Sequence, residues 1–480
     1  MDELVTLLER TTPSVSTPDV RRLTRRARAR RGRRWVLVVV PIVALTASAV
    51  ALRPLAGHRV TTASTPQPVG TWHRASAPPI DLSSQVRTAT LASGQLLVVS
   101  GSFDADMPVH KFETALYDVG TDQWTRLGDV PVSQPAGGAD LLAAGDRLLL
   151  LTHDDAGEVS LAQFDSVSQQ WRAIAMPSDA EHVYQGWAWN GTTLVLVRFG
   201  YSPYGDPSAP AAVERWDAAT NTWRLGTAPP GAARYGPMIA RTNDQLAFWG
   251  GNTFDQAAVG SVPIPVPAGA MTTVGNRHDP ARRAFTDGAI YDIEHDTWSY
   301  LAPQRSLTAM AQNSPAAILT ASTLTLVSSP INDFHRLAAR YENGGWHPLP
   351  SPADSYSGGL GARDSSRLAI ISVNDSGAMP TQYIDGVSDS WRSAPGYALT
   401  SGPTGLISTS ATMGGPGNTP FSVWRLDGTT WTPAVPAPFS NRMEPGIAVI
   451  GNQVMVIGGE NGPNLDPQRD AWVLDLPPAQ

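Results

Sequence analysis

The 480-residue chain contains no cysteine. Disulfide staples, thiolate metal sites and cysteine nucleophiles are therefore excluded together. Lysine is almost as scarce, with Lys111 alone among many arginines. Familiar catalytic signatures are missing as well: there is no His-Glu-x-x-His, no glycine-rich loop ending in Lys-Ser or Lys-Thr, and no nucleophile elbow in a strand-turn-helix setting. No catalytic residue, metal-ligand set or cofactor is expected on these grounds. The formal charge is -7, and ten arginines against four acids give the first 34 residues +6, so the remainder sits near -13. That balance argues against nucleic acid as the ligand of the main domain.

What is present begins with residues 1–34, a basic segment of cytosolic type. Thr17-Pro18-Asp19 is a good helix start, with a capping hydroxyl, proline at the first helical position and an acid in the first turn. Beside an apolar run, such arginines are expected to meet anionic lipid and set orientation. Residues 35–52 carry no charge and have the length to cross a bilayer as a helix, with Pro41 inside the run. The arginines before it predict a single-pass topology, with the N-terminus in the cytoplasm and everything after residue 52 outside. A cleaved signal competes, since Ala47-Ser48-Ala49 offers small residues to a peptidase and Arg33-Arg34-Trp35 loosely resembles a twin-arginine signal. The run is long for a signal core, which favours a retained anchor. Residues 53–69, rich in Thr, Ser and Pro, read as a flexible linker.

From residue 70 onward one unit recurs. An aromatic residue and an Asp are followed by turn formers and a Trp: Tyr117-Asp118 to Trp124, Phe164-Asp165 to Trp171, Trp216-Asp217 to Trp223, Tyr291-Asp292 to Trp298. Weaker copies lie at Tyr341 to Trp346, Asp385 to Trp391 and Asp427 to Trp431. Each copy reads as a hairpin, and upstream of most lies a second one, such as Leu96-Leu97-Val98-Val99 after Ser93-Gly94-Gln95. Four strands per period, at this spacing, predict an all-β propeller.

The order apolar strand, Gly-Gly, polar loop, Tyr-Asp, turn, Trp resembles the Kelch repeat and the related propeller of galactose oxidase. Gly250-Gly251 and Gly458-Gly459 keep the paired glycines, whereas Ser100-Gly101, Phe199-Gly200 and Ser328-Ser329 stand in their place elsewhere. The resemblance covers residues 70–480 and implies fold more than activity. Galactose oxidase builds its cofactor from copper and a cross-linked Cys-Tyr pair, which a chain without cysteine cannot make. The use of arginine for lysine, with much Ala, Gly and Pro, resembles coding from a GC-rich bacterium such as an actinobacterium.

The ends of the domain complete one another. Trp72 has no hairpin before it, and Ala471-Trp472-Val473-Leu474-Asp475 ends the chain where a Trp strand should follow. Pairing the two closes the ring without a free edge. Eight blades result, with seven as the alternative, because the segment from Gly402 to Pro420 barely supplies two strands. The widest repeat holds a long loop, including Gly275 to Arg283, between the second and third strands of the fourth blade.

The repeat tryptophans are expected to pack between blades rather than stack on sugars. Trp187 and Trp189 depart from the repeat phase and share one side of their strand. In the family it resembles, ligands often meet the face made by the links between blades. Arg87, Arg234 and Arg442 fall in such links, just before the first strand of their blades, Arg305, His182 and Tyr184 lie in other links, and His278 sits in the long loop. If the arginines converge, they suit an anionic ligand such as a carboxylate, acidic peptide or uronic-type sugar. The alternative is that each pairs with an acid such as Asp179, Glu181 or Glu444 and ties links together. On the first reading, Arg234→Ala leaves melting nearly unchanged and weakens binding.

The expected function is a membrane-anchored extracytoplasmic propeller that binds a protein or a cell-envelope glycan without catalysis. One alternative is a carbohydrate-active hydrolase, lyase or epimerase using the central pocket. Another is a sensor signalling through residues 1–34.

Overall fold

Each repeat carries two hairpins in succession and folds as one four-stranded antiparallel sheet. The structure is a computed structural model, and it describes residues 67–82, 85–102, 111–132, 138–153, 159–177, 184–200, 210–231, 233–253, 271–273, 283–304, 316–320, 323–328, 337–351, 363–364, 367–370, 373–374, 377–378, 381–385, 390–396, 398–402, 405–410, 420–442, 445–461 and 466–478. The basic segment, the 35–52 run and nearly all of the linker lie outside the described residues. Among the described residues no helix is long and apolar enough to cross a membrane.

Eight four-stranded sheets are present among the described residues. Seven are built from consecutive stretches of chain. The first blade comprises Gln85–Thr90, Leu96–Ser102, Lys111–Asp118 and Gln123–Arg126, from the innermost strand outward. The next six span 138–174, 186–225, 238–301, 316–349, 363–394 and 398–433. The eighth uses both ends of the domain: Gly446–Ile450, Gln453–Ile457 and Ala471–Asp475 are completed by Thr71–Arg74, with Trp72 opposite Leu474. The expected closure is therefore present, and the innermost strand of the first blade lies beside those of the second and eighth.

The packing explains why the second strand of a blade is apolar throughout. In an ordinary half-buried strand only alternate residues are apolar, but here both faces meet a neighbouring sheet. Leu96 and Val98 face the eighth blade with Met455 and Ile457, while Leu97 and Val99 face the second with Leu148 and Leu150. Leu149 and Leu151 then meet Leu194 and Leu196 of the third blade, and Val195 and Val197 meet Leu246 and Phe248 of the fourth. The same alternation continues until Val454 and Val456 pack with Ile407 of the seventh. Eight apolar clusters, one for each neighbouring pair of sheets, separate eight blades from seven.

The repeat motif has a physical reason at each position. The Asp after the aromatic caps the turn: Asp217 Oδ1 accepts from the N–H groups of Ala219 and Thr220, at 2.8 and 2.9 Å. Asp118, Asp165 and Asp292 do the same with Thr121, Val167 and His295. The residue before the last strand takes a left-handed conformation, with φ of 52° at Asp122, 53° at Asn221 and 56° at Asp296, which favours Asn and Asp. The Trp is half-buried and reaches to the preceding blade. The Nε1–H groups of Trp72, Trp124, Trp223, Trp298, Trp346 and Trp391 donate to the carbonyls of Val435, Ser76, Ala175, Thr227, Ala302 and Pro350, at 2.6 to 2.8 Å. Each of those carbonyls lies just past the outermost strand of the blade before. Trp171 departs from this: it donates to Thr114 Oγ1 at 3.2 Å, and that hydroxyl passes the bond to the Gly128 carbonyl at 2.8 Å.

Two expectations shift in detail. The seventh blade takes its inner strands from Ala398–Gly402 and Gly405–Thr409, so its first strand lies ahead of the segment from Gly402 to Pro420 rather than within it. In the fourth blade, the stretch between the second strand, Gln245–Trp249, and the third, Gly288–Asp292, contains a small sheet of Asn252–Thr253, Arg283–Phe285 and Met271–Thr273. The centre of the long loop, with His278, lies outside the described residues.

Candidate functional site

Of the seven residues singled out from sequence, Arg87, Tyr184, Arg234 and Arg442 are described, whereas His182, His278 and Arg305 lie outside the described residues. The three arginines have separate partners, in the second, fourth and eighth blades.

Arg234 and Arg442 occupy the same position in the fourth and eighth blades. Each precedes the first strand and turns its guanidinium toward the paired glycines. Arg234 Nη1 donates to the Gly250 carbonyl at 3.0 Å and to Asp287 Oδ1 at 3.1 Å, and both side chains of this ion pair are 1% exposed. Arg442 Nη1 donates to the Gly458 carbonyl at 3.0 Å and pairs with Asp470 Oδ1 at 2.7 Å. The guanidinium carbon of Arg234 lies 4.7 and 4.3 Å from the ring centroids of Phe248 and Phe285, and that of Arg442 lies 4.4 Å from Phe439. Burial pulls the Arg234 guanidinium below its ordinary value, with Asp287 opposing the shift. The paired glycines are required by backbone shape. Gly250 and Gly251 have φ of 69° and 91°, and a Cβ on Gly251 would stand 2.9 Å from the Tyr235 carbonyl oxygen. The acids engaged are Asp287 and Asp470, each just ahead of a third strand, whereas Asp179, Glu181 and Glu444 lie outside the described residues.

Tyr184 is 5% exposed, and its hydroxyl makes a short hydrogen bond to Glu214 Oε2. The other oxygen of Glu214 pairs with Arg198 Nη1 at 2.9 Å, and Arg198 Nε donates to the Pro210 carbonyl at 2.9 Å. Buried charges survive only when paired in this way. Arg87 lies within the innermost strand of the first blade rather than ahead of it. Its Nε donates to the Ala139 carbonyl of the second blade at 3.0 Å.

Ala139 leads to a group of side chains that the sequence did not bring together. Asp140, Trp187 and Arg241 belong to the innermost strands of the second, third and fourth blades, Gly138–Ala144, Gly186–Trp189 and Met238–Arg241. These strands lie beside one another around the axis of the ring. Asp140 Oδ2 accepts from Trp187 Nε1 at 2.8 Å and pairs with Arg241 Nη2 at 3.4 Å. The Arg241 guanidinium carbon lies 5.8 Å from the indole centroid, and the His153 ring lies 6.3 Å from it. The Asp140 side chain remains 39% exposed. The signal in the sequence was a single acid inside the otherwise small and apolar strand Gly138–Ala144, together with the out-of-phase Trp187. Among the described residues no group of three or more His, Asp or Glu is placed to hold a metal ion.

No family model matches the chain. A Kelch-like protein of Aspergillus terreus, terF, is 23% identical over 199 residues, which is 39% of this chain and 42% of that protein. The match thus spans less than half of that relative. A solved fungal alcohol oxidase of the AA5 family, in complex with copper, superposes with a TM-score of 0.42 at 13% identity, covering 85% of this chain and 77% of that one. The sheet order and the Kelch-like relative agree on a Kelch-like propeller.

Proposed function

We propose that this chain is a membrane-anchored, extracytoplasmic propeller that binds a cell-envelope glycan or protein. The support is twofold. A Kelch-like ring is a scaffold whose fold leaves activity to grafted sites, and the basic segment followed by the 35–52 run suits a retained anchor with the N-terminus inside. The observation that carries a binding role is the group on the innermost strands. Arg234, Arg442 and Tyr184 are buried in ties within their blades, whereas Asp140 keeps a solvent-accessible carboxylate beside a half-buried indole. Few convergent polar groups next to an aromatic surface are what ligand sites are built from.

Topology and binding are tested in one strain. An alkaline phosphatase fusion at the C-terminus should be active, and protease added to intact cells should remove the propeller but spare a tag before residue 34. The same cells, cross-linked and solubilised, should yield an envelope component bound to the full chain. An inactive fusion with a protected propeller would overturn the topology, and an empty capture together with no glycan retention would overturn the binding role.

A further inference from the structure

The innermost strands are unequal around the ring. In the fifth and eighth blades the partly buried side chains described on these strands include Ala317, Ile447 and Ile450. Across the second to fourth blades they include, beside Leu141 and Ile239, the polar Asp140 and Arg241 and the indole of Trp187, joined through one carboxylate oxygen. A tie between blades would not need this chemistry, because indole-to-carbonyl bonds already join most neighbouring blades further out. An ionised carboxylate offers about four lone-pair sites, and both described bonds fall on Oδ2. Asp140 Oδ1 has no partner among the described residues, on a side chain that is 39% exposed.

We infer that Asp140 and Trp187 form a saccharide-binding site on the channel wall, and that its ligand is a neutral sugar unit. The inference rests on the binding role proposed above and deepens it. A pyranose has one face of C–H groups, which lies on the exposed part of an indole, and hydroxyls that donate to a carboxylate. Trp187 supplies the first surface and Asp140 Oδ1 the second. Arg241 is a positioning residue: with the Trp187 N–H it fixes the carboxylate plane, so that Oδ1 is held in one direction before the ligand arrives. Charge selects among sugars. Arg241 is already paired with Asp140, and Arg87 on the neighbouring strand spends its Nε and Nη1 on the carbonyls of Ala139 and Val86, so a uronate would set its own carboxylate against Asp140. This reverses the preference for an acidic ligand that the link arginines implied from sequence, since Arg234 and Arg442 are occupied elsewhere.

The test uses the purified full chain in a detergent without a sugar headgroup, titrated calorimetrically with neutral trisaccharides of gluco, galacto and manno configuration and with the matching uronates. At least one neutral trisaccharide should bind about ten-fold more tightly than its uronate, and Asp140→Asn and Trp187→Leu should each weaken binding about ten-fold or more with unchanged unfolding midpoints. Should a variant fail to fold, the wild type still decides: the indole resonance of Trp187, assigned with Trp187→Phe, must shift on adding the neutral sugar. No binding by any neutral trisaccharide, a preference for uronates, a silent Trp187 resonance, or wild-type affinity in Asp140→Asn would overturn the site. Envelope capture by the same protein separates the two readings: a captured component without saccharide binding sinks this site alone, and failure of both sinks the binding role as well.

Discussion

Arg234→Ala reverses the expectation drawn from sequence. A link arginine reaching for ligand could be removed at little cost, but Arg234 is 1% exposed and faces an Asp287 carboxylate that is equally buried. Truncation leaves that carboxylate with the Tyr300 hydroxyl, at 2.9 Å, as its remaining described side-chain partner. Removing one member of a buried ion pair typically costs about 3 to 5 kcal/mol, because the surviving charge is stranded. Contact of the guanidinium with Phe248 and Phe285 is lost in the same step, and such terms overlap rather than add. We expect a loss of about 4 kcal/mol, a large share of the roughly 5 to 15 kcal/mol that holds a typical domain folded. Urea unfolding of the full chain, followed by tryptophan fluorescence and far-ultraviolet circular dichroism with coincident transitions, measures it. The double variant Arg234→Met, Asp287→Leu should recover much of the loss, since no charge is left buried. A loss below about 1 kcal/mol in the single variant, or a double variant no more stable than the single, would refute the reasoning. Arg442→Ala should cost less, because Asp470 is 18% exposed and retains some hydration.

Trp223→Phe removes the 2.8 Å bond to the Ala175 carbonyl and should cost about 1 kcal/mol, whereas Trp223→Ala, at a half-buried site, should cost about 2 to 4 kcal/mol; equal stability of both with wild type would remove the tether. Burial raises the carboxyls of Asp122 and Asp296, but hydrogen bonds outweigh it and hold both below their ordinary value: from the Ser76 N–H and the Tyr117 hydroxyl to Asp122, and from the Tyr291 hydroxyl and the Thr227 N–H to Asp296. Their folded values are depressed, so this stability is present above the unfolded value of about 4 and is lost as pH falls through the folded values; the urea midpoint should drop below about pH 4 and do so less steeply in Asp296→Asn. Hydrogen bonds first to Asp129 and then to Glu113 hold the Lys111 ammonium above its ordinary value, so amine acylation at pH 8 should be slow there by peptide mapping and should quicken in Asp129→Asn. Deleting residues 1–76 removes Thr71–Arg74 and leaves Ala471–Asp475 as an open edge, which should give a self-associating product by light scattering, whereas deleting residues 1–66 should not.

The blade unit was legible because everything that makes it is local. The aromatic, the capping Asp, the left-handed turn residue and the Trp fall within eight positions in the Trp216 to Trp223 copy, and each meets its first partner across one hairpin. Closure was legible because half a blade at each end can be satisfied only by the other half. The partners of the link arginines were not. Arg234 finds Asp287 53 residues later, beyond the insertion of the fourth blade, while sequence proximity pointed to acids on the links themselves. The channel group was less legible still. Asp140 and Arg241 are 101 residues apart and belong to blades that are not neighbours in the ring. They meet only because three innermost strands converge on an axis, and no pattern within one repeat encodes that convergence.

The seam where the ring closes uses the chemistry of an internal seam. Ser76, just past the strand Thr71–Arg74, donates its N–H to Asp122 Oδ1 at 2.9 Å and its hydroxyl to the Asp122 carbonyl at 2.7 Å. Thr227, just past the outer strand of the third blade, makes the same two bonds to Asp296, at 2.8 and 2.7 Å. In both places the acid also takes the hydroxyl of the repeat tyrosine, Tyr117 or Tyr291. One residue thus takes the left-handed position of its own hairpin, locks its own aromatic and holds the link from the blade before. The two ends of the domain are therefore fastened by the contact that fastens the third blade to the fourth, in addition to the backbone pairing of Trp72 with Leu474. The strand Thr71–Arg74 is thus held by Ala471–Asp475 along its paired edge and, through Ser76, by the first blade. Under the anchor proposed above, load would fall first on the eighth blade and its seam with the first, and the group on the innermost strands of the second to fourth blades lies outside that seam.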